Sequence, residues 1–130
     1  EHLEWKPPGG VQSILGWLWH IAETEDQWVQ AVILGRQPFA PRRKSFLTDR
    51  TDVLRYLEET RAATEHLLQD LPAERLWEPR PLPPGQRLPT TAGTSATLHS
   101  IFSHVFHHEY HHRAQIYLHL RLMGIEPPPF

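Results

Sequence analysis

The 130-residue sequence predicts an all-α protein, a bundle of long amphipathic helices. Apolar residues recur at three- and four-residue spacing through three long stretches. No stretch alternates with the two-residue period of a strand, and no internal repeat appears. Cap residues and glycine or proline stops bracket the helical stretches.

The opening residues 1–10 read as the end of something followed by a turn, so the natural protein is expected to begin upstream of Glu1. The first helix starts after Ser13, a suitable N-cap, with Ile14, Leu18, Ile21, Ala22, Trp28, Val29 and Val32 on its apolar stripe and Gly35 as its stop. Residues 36–47, with two prolines and four basic residues, read as a loop. Thr48 or Asp49 caps the second helix, whose stripe is Val53, Leu57, Leu67, Leu68 and Leu71, ended by Pro72. Residues 72–93 carry six prolines and two glycines, which denies a helix or central strand its donors and dihedrals. An ordered loop lying on the helices is expected there. The third helix runs from near Ser95 or Thr97 to Met123, with Gly124 as its stop. At 1.5 Å per residue it is roughly 40 Å long. Three such helices after an interrupted beginning predict a four-helix bundle whose first helix lies upstream, against a three-helix bundle complete as given.

Composition narrows the function classes. The length supports one domain over residues 1–130, and 39% apolar content supplies a core. A formal charge of −2 excludes the basic footprint of a phosphate-binding nucleic-acid partner. With no Cys there is no disulfide framework, no thiolate zinc ligand and no thiol nucleophile in the chain. That is compatible with the cytoplasm, the expected location. No apolar run approaches the roughly 18 residues a membrane span needs, and no signal-peptide pattern opens the sequence.

Histidine is the outlier: seven of the ten fall within residues 99–119, spread along the apolar pattern of the third helix. Advancing about 100° per residue from His104 centres the buried arc near 110°, on Ile101, Val105, Ile116 and Leu98. His112 falls at about 80° and His108 at about 40°, at or inside the core edge. His104 lies at the margin, while His107 and His111 face away. Two imidazoles four residues apart share one face, a spacing that can chelate a metal. Such a pair also arises by chance in any His-rich helix, but these two point inward, where bare imidazole nitrogens are costly. A catalytic zinc site normally takes three protein ligands and leaves a position open. On the first helix the candidates are His20 and Glu25. Periodicity favours Glu25, near the centre of the stripe, as a ligand, a partner behind a ligand, a proton acceptor, or half of a buried ion pair with an Arg such as Arg113. His20 falls outside the stripe, beside Ala31 and Trp17.

The segment SILGWLWHIAETE (residues 13–25) resembles the second helix of the DinB/YfiT-like family of bacterial metalloenzymes. The segment HVFHHEYHHRAQ (residues 104–115) is similar to that family's fourth helix, which carries His-x-x-x-His-Arg-Gly-Gln. Both stand in the right order, and the resemblance covers nearly the whole chain. It implies a four-helix up-down-down-up bundle, often a homodimer, with a divalent metal held by His20, His108 and His112. His20 thereby enters through the resemblance and against the wheel, on the ground that a helix packed between two neighbours can direct a flank residue inward. Two departures stand out: Ala114 replaces the usual Gly, and the family's first helix is not in the sequence.

The resemblance further implies transferases that use low-molecular-weight thiols such as bacillithiol or mycothiol, and a thiol-dependent isomerase. A three-imidazole centre would stabilise a thiolate or activate water. Glu25, His104 and Gln115 are the candidates to orient a ligand or accept a proton. The expected cofactors are a divalent metal, zinc or nickel, and a low-molecular-weight thiol, and the expected partner is a small-molecule substrate. A metal-dependent hydrolase and a non-catalytic dimeric metal-binding protein are the alternatives. Arg36, Arg42, Arg43, Arg80 and Arg87 would serve a cofactor's carboxylates or, more simply, lie solvated on the surface.

Overall fold

The computed structural model describes residues 2–10, 12–39, 49–89 and 93–129. It contains three long helices: α1 (Ile14–Asp26), α2 (Arg50–Gln69) and α3 (Leu98–Leu122). Each begins where a side chain satisfies an orphan amide: Ser13 Oγ accepts from Gly16 N–H, Asp49 from Thr51 N–H and Thr97 Oγ1 from Ser100 N–H. Each cap is worth about 1 kcal/mol. Thr48, the other capping candidate for α2, lies outside the described residues. Gly35 and Gly124, at φ +64° and +75°, end their helices in the left-handed region.

The single first helix expected up to Gly35 is two pieces. After Asp26 the coil widens to π geometry over Gln27–Ile33, with Leu34 N–H donating to Val29 O at 3.0 Å. Trp28, Val29 and Val32 satisfy the wider spacing as well as the ordinary one, which is why apolar periodicity does not separate them.

The all-α expectation needs one correction. Within the proline-rich connection, β1 (Pro79–Pro81) pairs antiparallel with β2 (Ser95–Thr97), in register Pro79↔Thr97, Arg80↔Ala96 and Pro81↔Ser95. Leu82 N–H donates to Thr94 O at 2.8 Å. Arg80 has the same parity as Leu82, so its amide turns into the ladder, and the amide-less Pro79 and Pro81 fall at the outward positions. A 3₁₀ turn, Ala73–Trp77, precedes the ribbon.

α1 is the central element. Leu15, Trp19 and Ala22 pack on Val53 and Tyr56 of α2, while Ile14 and Ile21 pack on Ile116 of α3. The expected stripe of α2 does face the core, with Val53 buried and Leu57, Leu67 and Leu68 half-buried against it, but Tyr56, Thr60 and Thr64 are buried beside Val53 as well. Thr60 Oγ1 donates to Tyr56 O at 2.9 Å and Thr64 Oγ1 to Thr60 O at 3.1 Å, so both hydroxyls are satisfied within their own helix. Tyr56 OH donates to Asp26 at 2.7 Å, and the same carboxylate oxygen accepts Phe39 N–H at 2.9 Å. This pins the start of the α1–α2 connection, and burial together with Asp26 raises the Tyr56 pKa. Among the described residues no helix is long and apolar enough to cross a membrane.

Candidate metal centre

Because α1 is clasped on two flanks, a residue outside its main stripe still faces a neighbour. His20 uses that flank. Its Nε2 lies 3.1 Å from His108 Nε2, which lies 3.0 Å from His112 Nε2. One nitrogen from each of the three rings falls within 4.8 Å of the others. His112 is buried, at 7% exposure, and His108 is half-buried, as their positions on the α3 wheel require. His107 and His111 are exposed.

The rings are held from behind. His112 Nδ1–H donates to Gln115 Oε1 at 2.6 Å, which leaves the lone pair of the neutral ring on Nε2, the atom aimed at His108. Trp17 stacks on His112, with centroids 4.5 Å apart and planes 21° apart. Thr24 Oγ1 lies 3.4 Å from His108 Nε2. That nitrogen thus has three polar neighbours and only one lone pair or one proton to offer them. A shared cation resolves the crowding. Nitrogens about 2.1 Å from one ion stand roughly 3.0–3.4 Å apart, which is the separation of the two closest pairs here. The donor set therefore fits a divalent metal.

Electrostatics agrees. Burial, then repulsion by the neighbouring His112 and His20, pushes the His108 pKa down from 6.5 to about 3. Burial lowers His112 against the opposing pull of Gln115, with His20 and His111 adding to the downward shift. Neutral, lone-pair-bearing rings are the ligating form. In metal-free protein both groups bind protons more weakly when folded than when unfolded. Their contribution is absent above about pH 7, and stability falls as pH drops through 6.5 toward 3. Metal-free protein should therefore show a lower urea midpoint at about pH 5 than at about pH 7.5, with a smaller difference in His108→Leu. Equal midpoints for the native protein would refute this.

Glu25 and His104 stand apart from the three-histidine cluster. His104 is half-buried edge-on against Trp28, at 5.2 Å, its ring 6.2 Å from that of His108. Burial, then the charge of His107, lowers its pKa. Glu25 is paired with Arg61 of α2 at 3.0 Å, and the same Arg61 nitrogen bonds Glu109. Arg113, the partner expected for Glu25, instead reaches Glu109 at 3.8 Å. Burial alone would lower the Arg61 pKa, but the two carboxylates outweigh it and raise it. Arg80 donates to Ile33 O at 2.9 Å, closing the π segment, while Arg36 and Arg87 are exposed. Arg42 and Arg43 lie outside the described residues.

Two features of the site escaped the apolar pattern. Trp17, His20 and Thr24 form an i−3, i, i+4 row and lie on one face, so centring the search on His20 would have found both neighbours. Arg61, on a helix with no candidate ligand, left no such signal.

Gln115 offers a direct check. Gln115→Leu removes the acceptor that fixes the His112 tautomer and should weaken metal affinity about 10–100-fold. Competition with a chelating dye measures this, and an unchanged affinity would show that the hydrogen bond does not set the ligand's orientation.

The fold and cluster together define a helical protein with a histidine site able to hold a metal ion. The family model for the DinB family matches residues 1–130, and the chain belongs to that family. Comparison with curated proteins gives no match.

Proposed function

We propose that the protein is a metal-dependent enzyme that transfers a low-molecular-weight thiol to a small electrophile, with His20, His108 and His112 holding zinc or nickel. The observation that carries the reading is the convergence of three imidazole nitrogens from two helices, two pairs of them 3.0–3.1 Å apart. Three histidines are the ligand count of catalytic zinc sites. When bound, the ion supplies Lewis acidity that favours the thiolate over the thiol. Gln115 is a positioning residue acting through His112. His104, whose pKa burial lowers and whose ring lies 6.2 Å from that of His108, is the proton acceptor in this reading. Glu25 is assigned to Arg61 and not to the reacting set. The up-down-down-up four-helix arrangement and the homodimer that the resemblance implies, and a cytoplasmic location compatible with a chain free of cysteine, complete the proposal.

The test is elemental analysis of protein purified without an affinity tag, with the coordination number read by X-ray absorption. One zinc or nickel ion per chain with three nitrogen ligands and a non-protein ligand supports the reading. A fourth protein ligand would make the ion structural. Thiol-dependent consumption of an electrophile with bacillithiol or mycothiol then tests the transfer, and turnover of an ester or amide without thiol would identify a hydrolase instead.

A further inference from the structure

A cavity of about 530 Å³ lies between α1, α2 and α3, inside the roughly 300–1,000 Å³ range of small-molecule sites. Leu18, Ile21 and Leu57 give it an apolar surface. Four carboxylates (Glu25, Glu58, Glu65 and Glu109) meet two guanidiniums (Arg61 and Arg113), which leaves a formal balance of −2. Glu25 is the decisive group. It is 2% exposed, and its Oε2 accepts from Arg61, but its buried Oε1 has no hydrogen-bond partner. An ionised oxygen without a donor in such a place is costly. Arg61 Nε is likewise buried and unpartnered. Glu58, Ala62 and Glu65 follow one face of α2 at i, i+4 and i+7, which puts both exposed carboxylates along the cavity edge.

We propose that this cavity binds an organic cation, an alkyl amine or diamine whose ammonium donates to Glu25 Oε1 while its stem covers Leu18, Ile21 and Leu57. A second ammonium is met by Glu58 and Glu65. The surplus of carboxylates selects against an anion, and the three donors of an ammonium match an unpartnered acceptor. No histidine lines the cavity, so this site goes beyond the metal reading and stands without it.

Isothermal titration at low ionic strength with hexylamine, 1,6-diaminohexane, 1-hexanol and hexanoate tests the proposal, on metal-free and zinc-loaded protein. Both amines should saturate one site per chain, equally with and without zinc, and bind at least tenfold more tightly than hexanol or hexanoate. Glu25→Gln should weaken hexylamine at least tenfold. Glu58→Gln/Glu65→Gln, changed only at exposed positions, should weaken the diamine severalfold and hexylamine little. If Glu25→Gln fails to fold, the rim variant decides the matter: an unchanged diamine affinity overturns the proposal. So do hexanol binding as tightly as hexylamine, absence of saturable amine binding, and amine binding only when zinc is present. A concentration-dependent dimer, seen by sedimentation, that excludes both amines would assign the cavity to a second copy of the chain and also overturn it. The metal reading fails separately, on metal content.

Discussion

His112→Ala is expected to abolish stoichiometric zinc or nickel binding while leaving the helical circular dichroism spectrum nearly unchanged. His112 is the most buried of the three clustered histidines, and its ring is fixed on both sides, by Gln115 at 2.6 Å and by the Trp17 face at 4.5 Å. Losing a partner behind a ligand costs about 10–100-fold in affinity, and losing the ligand itself must exceed that. The helix should survive because Ala is the best helix former and the core beneath, Ile116 with Ile14 and Ile21, is untouched. His107→Ala and His111→Ala, at exposed positions, should keep one ion per chain. Undiminished metal content in His112→Ala, by elemental analysis, would remove the site from consideration.

The second large effect concerns stability. Arg61→Met should lower it by about 2–4 kcal/mol, somewhat below the 3–5 typical of breaking a buried pair because Arg61 is partly exposed. The loss comes from stranding Glu25 rather than from the pair's own worth: Glu25 is 2% exposed, and Arg61 is its donor. Glu109, which also bonds Arg61, is less buried and can turn to water. Glu25→Gln should therefore recover much of the loss in the Arg61→Met background, a coupling that a double-mutant cycle of urea midpoints measures. If Arg61→Met costs less than about 0.5 kcal/mol, the pair behaves as an ordinary surface contact.

Much of this architecture is legible in the sequence because it rests on local rules. Ser13, Asp49 and Thr97 are caps by side-chain chemistry, Gly35 and Gly124 are stops by conformational freedom, and the α3 wheel separates His108 and His112 from His107 and His111. What is not legible depends on neighbours. The α1 stripe points to Glu25 and away from His20, because a wheel describes one buried face and α1 has two. Thr60 and Thr64 look polar until their hydroxyls are seen returned to their own backbone. The β1–β2 ribbon hides behind its prolines, whose harmlessness is a matter of parity against a strand fourteen residues or more downstream.

Thr97 ends β2 and caps α3 with the same residue. The histidine-bearing helix is therefore clamped at its origin and cannot rotate to absorb a change in chain length. The Pro83–Gln86 turn, closed by a 3.0 Å bond from Gln86 N–H to Pro83 O, sits outside that clamp and can lengthen without consequence for the ligands. One residue gained or lost between Thr97 and His108 would swing both imidazoles by about 100° away from His20. In a lineage of such chains, insertions should accumulate in the turn and be purged from the eleven-residue span beyond the clamp.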